Sequence, residues 1–139
     1  MNRSSLTTLA TRAEPFAYAA LRIVSGAMFT FHGMQKILGW YADRQPPVGS
    51  QIWIGGIIEL VCGALIALGL FTRPAAFLAS GTMAVAYIQF HWKFAVENGM
   101  WLPALNKGEP AVLYCFLFLF LAARGDGIMS LGGRGRGSA

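Results

Sequence analysis

Residues 52–73 read IWIGGIIELVCGALIALGLFTR, and the fold turns on what such a stretch can be. Roughly 20 helical residues cross the ~30 Å hydrocarbon core of a bilayer, so this one is long enough to span it. Glu59 lies near its middle, and no further charge occurs until Arg73 closes the run. An ionisable side chain at membrane depth is costly, on the order of 2.5–3.5 kcal/mol for Asp or a basic residue, and normally faces a protein interior or a wet cavity. Gly55 and Gly63 stand four residues to either side of Glu59, on one helical face. That face carries little but a single carboxyl group, and small-residue faces let a second helix approach closely. The rest of the chain is read as packing against this helix and supplying partners for its acid.

Composition sets the class. The chain has 139 residues, one domain's worth. It is 55% AVILMFWYC and 12% charged, where an ordinary soluble domain carries about 25% charged residues. Too little charge is present to cover a soluble surface, so the expectation is an integral membrane protein in contact with lipid. The formal charge of +5 suits basic loops against anionic headgroups. A nucleic-acid partner would need the bases clustered on one soluble face; most of them flank apolar runs, and none is expected.

In chain order, residues 1–15 are polar and weakly basic, read as a cytoplasmic N-terminal segment. They lack the short apolar core of a secretory signal, and Pro15 suits the first turn of a helix. The first apolar run, residues 16–38, carries Arg22, Ser25, Phe29, His32 and Lys36 at helical steps, hence on one face. Residues 39–51, with a Pro-Pro pair and glycines, form a connection bracketed by the interfacial aromatics Trp40, Tyr41 and Trp53. The Thr72–Arg73–Pro74 turn leaves no room between the second and third runs, which must be antiparallel neighbours. In the third run, residues 74–92, Ser80, Ala84, Tyr87 and His91 share a face. Residues 92–110 form a mixed loop lying in the interface. The last run, residues 111–123, is short for a span, and a re-entrant segment is its alternative. Residues 132–139 are read as a flexible tail.

The predicted fold is therefore all-α: an antiparallel up-down four-helix membrane bundle over residues 16–131. With four spans, Arg3, Arg12, Arg73, Arg124, Arg134 and Arg136 fall on one side, against Lys36, Arg44, Lys93 and Lys107 on the other. The excess of bases places both termini in the cytoplasm.

No nucleotide, zinc-protease or paired-cysteine motif is present. Cys62 and Cys115 fall inside apolar runs, where Cys is usually a small apolar residue; a redox pair is the alternative. Two histidines and Glu59 do not have metal-ligand spacing, and no metal is expected. The constellation that carries chemistry is His32, Lys36, Glu59 and His91. Helical side chains lean toward their own N-terminus, so Glu59, on an inward-running helix, leans outward toward His32 and Lys36. Arg22 leans the other way, toward Thr72 and Arg73, a structural polar group at the inner end. The outer group can hold a quinone or another polar ring. It can equally be a static buried ion-pair network that fixes helix register.

FHGMQK in the first run, GGIIELVCGALIALGLFTRPAA across the second and third, His91, and NGMWL with KGEPAVLY beyond it together resemble the DoxX family. The positions that carry the resemblance are His32, Lys36, Glu59, Gly63, Thr72, Arg73 and His91. The resemblance implies a four-helix bundle in a bacterial or archaeal cytoplasmic membrane. Some members are similar to the small membrane subunit of thiosulfate:quinone oxidoreductase, which implies a quinone-linked redox subunit acting with a soluble oxidoreductase partner. The competing class is a non-catalytic scaffold or small-solute transport component. A transporter usually shows internal repeats, and only a weak echo links the two helix pairs. Whether the protein is an enzyme, and whether it forms a homo-oligomer, stay open at this point.

Overall fold

The structure, a computed structural model, describes residues 3–135 and the side chains of residues 7–133. It is all-helical, with four α-helices and no strand among the described residues. They are α1 (Arg3–Leu38), α2 (Gln51–Leu68), α3 (Thr72–Ala86) and α4 (Glu109–Arg124). α1 packs chiefly against α2 and α3 against α4, while α2 and α3 join the two pairs. Aromatic side chains close α1 onto α4: the Phe29 and Phe118 rings lie 4.7 Å apart and Tyr114 stacks on Phe118 at 5.4 Å. Phe29, Ile66, Phe118 and Leu121 form the fully buried centre.

The helix boundaries follow local chemistry. Ser50 starts α2, its Oγ accepting from the Trp53 N–H, as small hydroxyl caps do. Gly69 ends α2 with a left-handed φ of 68°. The Gly69 N–H then donates to the Ile66 carbonyl and the Leu70 N–H to the Leu65 carbonyl, the pairing of a Schellman stop. Only two residues, Leu70 and Phe71, follow before α3, so α2 and α3 are tightly joined. Gly108 precedes α4 and Pro110 sits in its first turn, where a missing N–H costs nothing.

Two boundaries differ from the sequence reading. Pro15 does not open the first helix: α1 runs through it. The turn around it is held from outside, because the Glu14 carboxylate pairs with the Arg124 guanidinium, which also lies 4.6 Å over the Tyr18 ring. At the other end, α3 passes into a π-helical segment, Tyr87–Trp92. The Lys93 N–H reaches back five residues to the Ile88 carbonyl at 2.8 Å, which shifts His91 out of register with Ser80 and Ala84. Gly132 N–H donates to the Gly69 carbonyl and Gly133 N–H to Ser130 Oγ; residues 136–139 lie outside the described residues.

By length and apolar content alone, one helix among the described residues, Gln51–Leu68, is able to cross a membrane. The other three fall short for separate reasons. α1 carries Arg22 and Lys36 within its apolar run, α3 changes hydrogen-bond register at Tyr87, and α4 is 16 residues long.

Candidate functional site

The α1–α2 seam is set by glycines. A Cβ on Gly33 would lie 2.3 Å from the Leu60 backbone nitrogen, and one on Gly63 would lie 2.5 Å from that of Thr30. Gly26 is as tight, 2.5 Å from the Ala67 nitrogen, and Gly56 less so, 2.8 Å from the Lys36 Cβ. The sequence reading paired Gly55 with Gly63 instead. At 3.6 residues per turn, positions seven apart drift by only ~20°, whereas eight apart are offset by about 80°. Gly56 and Gly63 therefore line the seam, and Gly55 turns away from it, with no atom within 4 Å of where its Cβ would be.

This close approach brings Lys36, near the end of α1, beside Glu59 in the middle of α2. Lys36 Nζ lies 2.5 Å from Glu59 Oε1; the Glu59 side chain is 4% exposed and that of Lys36 33%. Glu59 Oε2 is buried without a hydrogen-bond partner among the described residues. A buried carboxylate half satisfied in this way is an acceptor still to be filled.

Beside the pair lies a cavity of about 740 Å³, open at one side, lined by residues of all four helices. It takes in all four outer residues of the sequence reading, His32, Lys36, Glu59 and His91, together with Gly55 and Tyr114. His32 is exposed, and its ring meets Tyr114 edge-on at 6.5 Å between centroids. His91 arrives from the π-helical segment, its Nδ1 3.2 Å from the Asn106 main-chain carbonyl. Tyr114 and Asn106 were not singled out by sequence. Tyr114 looks like any aromatic of an apolar run, whereas Asn106 left a signal: Asn two residues before Gly makes an Asx turn, and Gly108 N–H donates to Asn106 Oδ1 at 2.8 Å.

Arg22, Thr72 and Arg73 gather at the opposite end. Arg22 is fully buried, and its Nη atoms donate to the carbonyls of Ile66 (2.7 Å), Ala67 (2.8 Å) and Met129 (2.8 Å), with Ile128 at 3.3 Å. It thereby caps the C-terminal carbonyls of α2, where a cation is favoured, and ties down the segment after α4. Arg73 does the same for α4, donating to Ala123 at 2.7 Å and Arg124 at 3.2 Å. The Thr72 N–H, at the start of α3, donates to Asp126 Oδ1 at 3.3 Å. Tyr18 Oη donates to the Gly125 carbonyl.

Both cysteines are free thiols, and Cys115 Sγ lies 3.6 Å from Ser80 Oγ. Among the described residues no three His, Cys, Asp or Glu side chains converge as metal ligands.

The profile of the DoxX family matches residues 17–92, which takes in α1 from just after Pro15, all of α2 and α3, and the π-helical segment with His91. An uncharacterized protein of Haemophilus influenzae is 38% identical over 122 residues, covering 85% of this chain and 90% of its own length. No solved structure matches the chain. The profile spans more than half of the sequence and the relative aligns through nearly all of it: the chain belongs to the DoxX family of membrane proteins.

Proposed function

We propose that the protein crosses the cytoplasmic membrane of a bacterium or archaeon four times, with both ends in the cytoplasm, and binds a quinone in the cavity beside Glu59. In this reading it serves as the membrane subunit of a redox system whose other partner is a soluble oxidoreductase. The spans are supported by the outward faces of the helices. Phe16, Val24 and Met28 on α1, Phe77 and Val85 on α3, and Leu113 and Phe116 on α4 are all exposed, more apolar surface than a water-facing monomer leaves bare. The α3 helix with its π-helical extension covers residues 72–92, roughly 30 Å at ~1.5 Å per residue, and the shorter α4 spans where the bilayer thins around it.

The observation that carries the ligand is the cavity itself. Small-molecule sites are mostly apolar with a few placed polar groups. This one sets Phe29, Ile58, Met83 and Tyr114 around an ion pair and two histidines. A quinone that takes up two electrons also takes up two protons, and Lys36, Glu59, His32 and His91 are groups able to move them. A second reading has its own support: Lys36 and Glu59 bridge the α1–α2 seam next to Gly33 and Gly56, so the pair can serve register alone.

Quinone extracted from the purified protein decides between them. The ligand reading expects bound quinone in the wild type and its loss from a folded Glu59→Gln protein. Register alone expects no bound quinone in the wild type, and a Lys36→Met, Glu59→Gln double variant that differs from it in stability or helix packing only. A wild type that neither retains nor takes up quinone removes the ligand reading. Reporter fusions after Gly49 and Asn106 should read external and one after residue 139 internal; any other pattern refutes the four spans.

A further inference from the structure

We propose that the cavity prefers the reduced, hydroxyl-bearing form of its ring-headed ligand, because His91 presents an acceptor nitrogen to it and Asn106 positions His91 in that state. The inference rests on the ligand reading above and adds the chemical form of the ligand.

A carbonyl oxygen has no proton to give. With Nδ1 at 3.2 Å from the Asn106 carbonyl, the hydrogen of that bond is on Nδ1. A neutral imidazole protonated at Nδ1 has its lone pair on Nε2. His91 lines the cavity while its Nδ1 edge is tied to the loop, so Nε2 is the nitrogen left for a ligand. A phenolic O–H donates to it; a quinone carbonyl meets it lone pair to lone pair.

The carbonyl that fixes this state is itself held. Asn106 is 8% exposed. Its side chain donates from Nδ2 to the Met100 carbonyl at 2.9 Å and to Tyr87 Oη at 3.4 Å, and accepts from Gly108 N–H at 2.8 Å. Tyr87 Oη in turn donates to the Trp101 carbonyl. The π-helical turn supplies the other half, since it is the shift in register after Ala86 that carries His91. A π-turn inside a helix frequently marks a functional site.

At the far end of the cavity the preference is shared. Lys36 uses one N–H on Glu59 Oε1 and keeps two of its three donors, which suit a carbonyl or a hydroxyl oxygen alike. Glu59 Oε2, unpartnered among the described residues, accepts from a hydroxyl. Discrimination between oxidised and reduced ligand therefore sits at His91, with Asn106 as its positioning residue, and at Glu59 Oε2.

The test uses the full chain in detergent micelles under anaerobic conditions, with a decyl-tailed benzoquinone and its hydroquinone as probes. The hydroquinone should bind at least about tenfold more tightly, the ratio that one hydrogen bond of ordinary net strength produces. His91→Phe should lower that ratio by about tenfold without weakening the quinone. Nitrogen-15 NMR of histidine-labelled protein reads the tautomer directly: the chain has two histidines, and His32→Asn assigns them. His91 should show a bare Nε2 whose signal moves with hydroquinone, and Asn106→Ala should mix the two tautomers and lower the ratio. Equal binding of both probes, or a His91 protonated at Nε2, overturns this inference and leaves the cavity reading standing. If neither probe binds, the cavity reading fails and this inference with it.

Discussion

Arg22 and Glu59 are both charged residues buried inside a small helical protein, and they are treated in opposite ways. Arg22 faces backbone carbonyls from two segments, and both Nη atoms are bonded, leaving Nε without a partner among the described residues. Glu59 has one oxygen on Lys36 and the other bare, next to open space. A buried charge with its partners built in locks the elements that supply them. One left half satisfied beside a cavity is, in the proposed reading, in place for something that comes and goes. In that reading the Arg22 end of the bundle is a joint and the Glu59 end a receptor, although the two look alike as lone charges in apolar sequence.

The joint should show the largest effect when broken. Arg22→Leu strands the carbonyls of Ala67 and Met129, while that of Ile66 keeps the Gly69 N–H, and a buried carbonyl left unpaired costs about 1–3 kcal/mol. The expected loss is about 5 kcal/mol in detergent unfolding, together with protease cutting after Gly125 as the terminal segment comes free. Ligand retained per folded molecule should not change. A variant as stable as the wild type, with its terminal segment still protected, would show that Arg22 is no lock.

The receptor should respond asymmetrically. Lys36→Met leaves Glu59 buried without its cation, a loss of about 3 kcal/mol if the carboxylate stays charged. Glu59→Gln leaves Lys36 free to turn toward solvent through its exposed third and should cost clearly less. Thermal melts of the two variants and of the double variant measure the coupling. Equal losses would mean that the pair is sealed from water, which contradicts a site open to a ligand.

These residues were not equally legible. Glu59 stood out because a charge in the middle of an apolar run is conspicuous, and its lean toward Lys36 follows from helix direction. The partners of Arg22 are main-chain carbonyls, and these leave no trace in a sequence. Asp126, which receives the Thr72 N–H, lies 54 positions away from it and belongs to a stretch without periodicity. The π-helical segment likewise closes on a main-chain hydrogen bond, from Lys93 to Ile88, that no residue pattern announces. The seam glycines were visible, and the error lay in the spacing: a rule of four chose Gly55, whereas straight helices packed over several turns bring together residues seven apart.

Gly63→Ala tests the seam. Its Cβ would meet Thr30 N and the Gly26 carbonyl at 2.5 and 2.8 Å, backbone atoms that give way only if α1 moves. Overpacking of this kind costs about 1–3 kcal/mol. The Lys36–Glu59 contact, one turn away, should loosen with it, visible as weaker ligand retention and a lower melting temperature together. A neutral Gly63→Ala would mean that the helices stand further apart.

Gly55 gives the smallest effect on stability and the sharpest view of the receptor. It lies on the same helix as Gly63, one turn before Glu59, yet nothing stands within 4 Å of its missing Cβ. Alanine in a helix interior is favoured over glycine by about 1 kcal/mol, so Gly55→Ala should leave the melting temperature unchanged or raise it slightly. A longer side chain here enters the cavity that Gly55 lines. Gly55→Leu should therefore fold as well as the wild type and displace the ligand. Stability and retention would then move independently at Gly55 and together at Gly63, on two faces of one helix. If Gly55→Leu retains quinone at the wild-type level, the ligand does not occupy the space beside Glu59, and the buried pair keeps only its role in register.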